Sequence, residues 1–144
     1  MSSLYVPVLV DALDASQNNF ELTSALNKIA LFTNALAVNT LTDSDFIAAP
    51  YNANQVVSAN YTAGGQLLTA QTLVGSAAPL KIVYDAADPT WTNVSFTARY
   101  GVMYADGLVG NNVYFLLDFG ADFTVTANQF LIQFDALGVW QWNL

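Results

Sequence analysis

The chain has no cysteine and no histidine among its 144 residues, and only Lys28, Lys81 and Arg99 carry positive charge. Without Cys there is no disulfide, no thiol nucleophile and no thiolate ligand, and the redox compartment stays open. Without His there is no imidazole base, and zinc sites of the usual kinds are excluded. Only oxygen ligands remain for a metal, so calcium is the one ion to weigh. Eleven carboxylates against three basic groups give a net charge of −8. Nucleic-acid binding needs a basic stripe that displaces counterions from phosphates, and three scattered cations cannot form one. Binding to an anionic membrane surface fails for the same reason. Long apolar runs are also missing: Leu4–Val10 and Val113–Leu117 fall well short of the ~20 residues of a spanning helix. No basic segment precedes Leu4–Val10, and Pro7 and Asp11 interrupt it, so it does not have the form of a signal peptide. With so small a chemical vocabulary, the expectation is a protein that is not an enzyme and needs no cofactor and no metal.

What is present is apolar and aromatic. Hydrophobic residues make up 54% of the chain, aromatics 13% and charged residues only 10%, the reverse of a disordered composition. The length fits one compact domain. A folded monomer of this mass exposes ~7,200 Å², so fourteen charged side chains amount to roughly one per 500 Å². That is sparse for a soluble monomer. Some apolar surface must then face outward, and such surface marks association. A homo-oligomer is expected, with a closed trimer favoured.

Period-2 patterns dominate the chain. In Val94–Ala105 one face carries Val94, Phe96, Ala98, Tyr100, Val102 and Tyr104, and the other Ser95, Thr97, Arg99, Gly101, Met103 and Ala105. Alternation of that length predicts a long half-buried strand. Val113, Phe115, Leu117 and Phe119 repeat it after the turn-rich Asp106–Asn112, and Phe130, Ile132 and Phe134 repeat it again after Thr126–Asn128. Shorter strands are predicted at Lys28–Thr33, Gln66–Val74, Leu80–Tyr84 and Val139–Trp142. Seven or eight short strands separated by turn signals predict an all-β chain, a single antiparallel β-sandwich or barrel-like domain over residues 26–144. Residues 1–25 belong to the same domain as an N-terminal arm or short helix; the β-branched run Leu4–Val10 fits either. Thr42–Ala48 is expected to form one helical turn capped by Thr42 or Asp43, and Pro50–Asn60 a polar loop.

The acidic residues come in pairs, but the pairs sit where turns are expected. Asp43 and Asp45 flank Ser44 without the further acidic ligands, Gly and bidentate Glu of a calcium loop, so helix capping is the simpler explanation. Asp85 and Asp88 straddle a turn closed by Pro89, and Asp118 and Asp122 bracket Gly120; Asp in such places bonds its own backbone. Tyr61-Thr62-Ala63-Gly64-Gly65 lacks the Lys and the strand–turn–helix setting of a phosphate loop, and is expected to be a tight turn or bulge. Arg99 lies mid-strand opposite the aromatics, placed either to pair with a carboxylate across the sheet or to reach a neighbouring subunit. Trp91 suits a core edge. Trp140 and Trp142 share a face of the last strand, where aromatic rows serve as core, as interface anchors or as a sugar platform. Leu4, Tyr5, Val6, Val8, Arg99, Trp140 and Trp142 are therefore the candidate interface residues.

Several of these segments together carry a likeness. Lys28-Ile29-Ala30-Leu31-Phe32-Thr33, the Tyr61–Gly65 turn, Trp91-Thr92-Asn93-Val94-Ser95-Phe96-Thr97-Ala98-Arg99 and Asp118-Phe119-Gly120 occur in an order that resembles a family of small virion proteins of tailed bacteriophages. Its members combine a K-(I/V)-A-L-x-T strand, a Y-T-A-G-G turn, a W-(S/T)-N-x-(S/T)-x-T-A-R strand and a D-F-G ending. The likeness covers about residues 27 to 142 and leaves Met1–Ala25 outside. It implies a virion structural protein made in the host cytoplasm. At this size it would be an accessory one, a decoration or cement protein on the capsid surface with the major capsid protein as partner. The competing expectation is a tail or fibre component that recognises a surface glycan through its Tyr and Trp faces.

Overall fold

The computed structural model describes residues 2–7, 10, 20–77 and 79–143. It is all-β, with two antiparallel sheets. The strands are β1 (Ser3–Leu4), β2 (Asn27–Phe32), β3 (Gln66–Leu67), β4 (Thr72–Ala77), β5 (Leu80–Asp85), β6 (Thr90–Ala105), β7 (Val113–Leu131) and β8 (Trp140–Asn143). The five-stranded sheet has the order β1-β7-β6-β2-β3 and the three-stranded sheet the order β4-β5-β8.

The β6–β7 hairpin is the spine. Its two halves differ because their surroundings differ. In the half of β6 far from the hairpin turn, Val94, Phe96 and Ala98 are buried while Ser95 and Thr97 are exposed, the alternation expected of a half-covered strand. From Gly101 to Ala105 every residue is buried. There the sheet is covered on both faces, and periodicity disappears for the reason that erases it in any fully buried strand. Part of the cover comes from the segment after β2. Phe46 stacks on Tyr104 with ring centroids 3.7 Å apart, and Tyr51 packs edge-on against Phe32.

Three expectations need correction. Thr126–Asn128 does not divide two strands, because β7 runs through it. The turn-prone residues are absorbed as a bulge: Val94 pairs with Asn128 and Phe96 with Val125, leaving an extra residue on β7, and Ala127 takes a positive φ of 46°. Gln66–Val74 is two strands in different sheets, separated at Ala70, whose φ of 49° turns the chain away from β2. Thr42–Ala48 forms no helical turn. Asp45 bridges Asn112, and the Ser44 carbonyl accepts from Val113 N, so the segment docks beside the β6–β7 turn. At the N-terminus Val6, Pro7 and Val10 are helical, whereas β1 just before them is extended on β7.

Tyrosine joins the parts. Six of the seven tyrosines are buried, and each of the six has a partner for its hydroxyl. The Tyr84 hydroxyl of β5 donates to Gln71 Oε1 (2.9 Å) and lies 3.5 Å from the Tyr114 hydroxyl of β7, which ties the small sheet to the large one. Asn27, fully buried in β2, donates from its amide to the carbonyls of Glu21 and Leu22 and to Gln71 Oε1. One polar network thus fixes residues 20–26, β2 and the crossover into the second sheet.

Candidate functional site

The motifs of the sequence likeness turn out to be joints of the fold. Tyr61 of the Tyr61–Gly65 turn accepts a hydrogen bond from the Leu31 N–H at 2.8 Å, closing the edge of β2 where β3 has ended. Gly64 offers its carbonyl to the Tyr104 hydroxyl (2.7 Å), and its N–H donates to Gln55 Oε1. Gly65 has a φ of 76°, and a Cβ there would fall 1.8 Å from the Ile29 carbonyl oxygen, so only Gly fits. Arg99 Nε donates to Asp118 Oδ1 at 3.0 Å across the hairpin, and its guanidinium lies 5.5 Å from the Tyr100 ring centre. Asp118 also accepts from Gly120 N, whose φ of 77° makes the bulge. Lys28 pairs with Asp106, and Trp91 is buried beside Tyr61 and Phe130. These residues hold strands together.

The carboxylates are engaged in the same way. Asp43 Oδ2 accepts from Asn39 N at 2.7 Å and lies 2.8 Å from the Tyr51 hydroxyl, which is 2.7 Å from the Tyr5 hydroxyl. A carboxylate only accepts, so Tyr51 gives its proton to Asp43 and takes one from Tyr5. Asp85 accepts from Ala86 N, Asp88 from Phe134 N, Asp122 from Asn34 Nδ2 and Asp135 from Leu137 N. Burial pushes the phenols of Tyr61 and Tyr84 up to about 12, and also raises those of Tyr5, Tyr51, Tyr104 and Tyr114 well above the ordinary phenol value. All six stay neutral hydrogen-bonding pins through the physiological range.

The candidate interface residues are dispersed. Leu4 lies opposite Phe115 in the β1–β7 ladder, and Tyr5 has no exposed surface, so neither forms a free arm. Val6 is exposed, although its N–H is bound to the Thr40 carbonyl. Val8 lies outside the described residues. Arg99 pairs through Nε with Asp118 of its own chain. Trp140 packs on Tyr84, ring centroids 6.0 Å apart, with its buried Nε1 unpartnered among the described residues. Trp142, 41% exposed opposite Ile82, also presents an open face.

Two exposed apolar regions emerge that the sequence reading did not single out. One is a groove of about 210 Å³ on β7, lined by Phe119, Phe123, Phe130, Leu131 and Ile132. It opens where β7 bulges between Phe123, opposite Ala98, and Asp118, opposite Tyr100. The other is the three-stranded sheet. Every residue of β4 except Ser76 is exposed, on both faces, and Leu73, Val74, Leu80 and Trp142 stand in solvent. Alternation of apolar residues marks which face of a strand is buried in its own chain; β4 has no such alternation, and that was the available signal. No helix among the described residues is long and apolar enough to cross a membrane. No family model matches the chain, and no characterised protein or solved structure is significantly similar to it.

Proposed function

We propose that the protein is a structural component of a tailed-phage virion, a capsid decoration or cement protein that binds the capsid exterior as a homo-oligomer. The observation that carries a structural role is the exposed small sheet, whose outer strand β4 has no charged residue, because exposed apolar surface of this kind marks a site of association. The virion assignment rests on the sequence likeness, whose motifs act here as joints of the fold. The motifs of the likeness are therefore architectural, and the proposed working surface lies between them in the chain. With few charges available, binding to the major capsid protein draws on buried apolar area, and a few aromatic anchors supply most of the energy.

Purified particles test this. Hundreds of copies per virion and a lower bursting temperature after the protein is stripped are expected, since a clamp stabilises the state it binds. Attachment should depend weakly on salt. A few copies per particle, unchanged heat resistance and lost adsorption to host cells would instead favour the glycan-binding tail component, with Trp142 as the first residue to replace.

A further inference from the structure

We propose that β4 is a self-association edge, pairing antiparallel with β4 of a second copy across a two-fold axis near Val74. This deepens the oligomer reading above and rests on it, but not on the virion assignment.

The backbone makes the edge available. Pairing of β4 with β5 is unbroken from Thr72–Asp85 to Ala77–Leu80. No hydrogen bond reaches the other side of β4 from any described residue. Sheet edges are normally blunted by charge, proline, bulges or brevity. β4 has no charged residue, no proline and no register shift.

The charge pattern selects the partner. Around a two-fold axis perpendicular to a sheet, the central residue meets its own copy, so any charge there would face its like. Residues 46–80 contain no Asp, Glu, Lys or Arg. In a molecule of net charge −8, that stretch lets a second copy approach without repulsion at the contact. With Val74 on the axis, Ser76 lies opposite Thr72 of the second copy. Ser76 neighbours Lys81 and Thr72 neighbours Asp85 on β5. Each cross-strand row therefore runs from Lys81 of one copy to Asp85 of the other, about 14 Å apart at the usual strand spacing. At that separation the charges are largely screened, so each row ends without like-charge repulsion. Leu73 falls opposite Gly75 of the second copy, so bulk meets space.

The area sets the strength. A six-residue ladder is about 20 Å long and a sheet about 10 Å thick, below the ~800 Å² per partner of a standard interface. The dimer is accordingly weak and concentration-dependent.

Sedimentation velocity of the full chain from about 1 µM to about 1 mM should show monomer passing to dimer. Val74→Lys and Val74→Glu each put like charges on the axis and should weaken the dimer about tenfold or more. An equimolar mixture of the two variants should restore it. Val74 is exposed, so both variants should melt as wild type when dilute. Gly75→Lys, at a position with nothing within 4 Å of its Cβ, puts a charged side chain into the space opposite Leu73 of the second copy and should weaken the dimer too. Oligomers indifferent to all three substitutions, including an unchanged trimer, would overturn the edge while leaving the oligomer reading intact. A monomer across the whole range would overturn both.

Discussion

The two sheets treat their edges oppositely. The five-stranded sheet ends in two-residue strands, β1 and β3, and other groups finish what those strands leave open: the Tyr61 hydroxyl accepts from Leu31 N, while Thr33 N donates to the Asn54 carbonyl and Val56 N to the Leu31 carbonyl. The free side of β7 is bent by bulges and carries Asp118 and Asp122. The three-stranded sheet has a neutral outer strand, β4, with no register shift, and is tied to the large sheet through Tyr84, which meets Tyr114, and through Gln71, which meets Asn27. One sheet is built to hold itself closed. The other is built to be covered, and its contribution to protomer stability should be correspondingly small.

A matched pair of glycines gives the sharpest contrast. Gly65→Ala places a methyl against the Ile29 carbonyl at a positive φ, and should destabilise by about 3 kcal/mol or more. Gly75→Ala meets no atom within 4 Å and has no positive φ, so it should be neutral or stabilise by a few tenths of a kcal/mol. Urea midpoints measure both. Equal losses at the two sites would end the distinction between a closed and an open sheet.

The alkaline limb of stability should come next in size. Tyr61 and Tyr84 are raised to about 12 in the fold, against about 10 in the unfolded chain. The folded state thus holds protons that the unfolded state releases, so their contribution is fully present below pH 10 and is lost as pH rises from 10 through 12. Each should account for on the order of 2 kcal/mol. Denaturation midpoints from pH 8 upward check this, and Tyr61→Phe should flatten the decline. At neutral pH the same substitution leaves the buried Leu31 N–H without its acceptor, at about 1–3 kcal/mol.

Such effects also mark how far the sequence could be read. The alternation in Val94–Ala105 and Leu80–Tyr84 located strands and the all-β class, because half-covered strands write their burial into the sequence. The tyrosine pins could not be located. Tyr61 meets Leu31, Tyr104 meets Gly64 and Tyr84 meets Tyr114 across tens of residues, and a phenol in a core-facing position looks the same whether or not its hydroxyl has a partner. Leu4 and Tyr5 misled for a related reason: an apolar run signals that cover is needed, without saying whether the cover is a neighbour or the chain's own β7. Exposed residues leave even less trace, so β4 was merged with β3.

Smaller effects separate a pin from a surface residue. Asp43 serves the cover of the large sheet through Asn39 N and Tyr51. Asp43→Asn keeps the shape but exchanges charge-assisted bonds for neutral ones, and should cost about 1 kcal/mol. Trp142→Ala, on the open sheet, should stay within about 0.5 kcal/mol in the isolated protomer, yet weaken any assembly that covers that sheet. The two variants should therefore exchange rank between a melting assay and a particle-binding assay.

The smallest expected effect is that of calcium, and it tests the same division from the other side. Asp43 and Asp45 are the one acidic pair spaced like the start of a calcium loop, but the structure employs them separately. The Asp43 carboxylate is taken by Asn39 N and Tyr51, while Asp45 bridges Asn112 through its backbone. A cation on Asp43 Oδ2 would compete with the Tyr51 hydroxyl and disturb the buried Tyr51–Tyr5 chain, leaving polar groups unpaired in the core at about 1–3 kcal/mol each. Millimolar calcium and a chelator should thus leave the melting temperature unchanged. A ligand that binds the folded state must raise it, so a rise of several degrees that vanishes in Asp43→Asn would show that this corner of the closed sheet is a site.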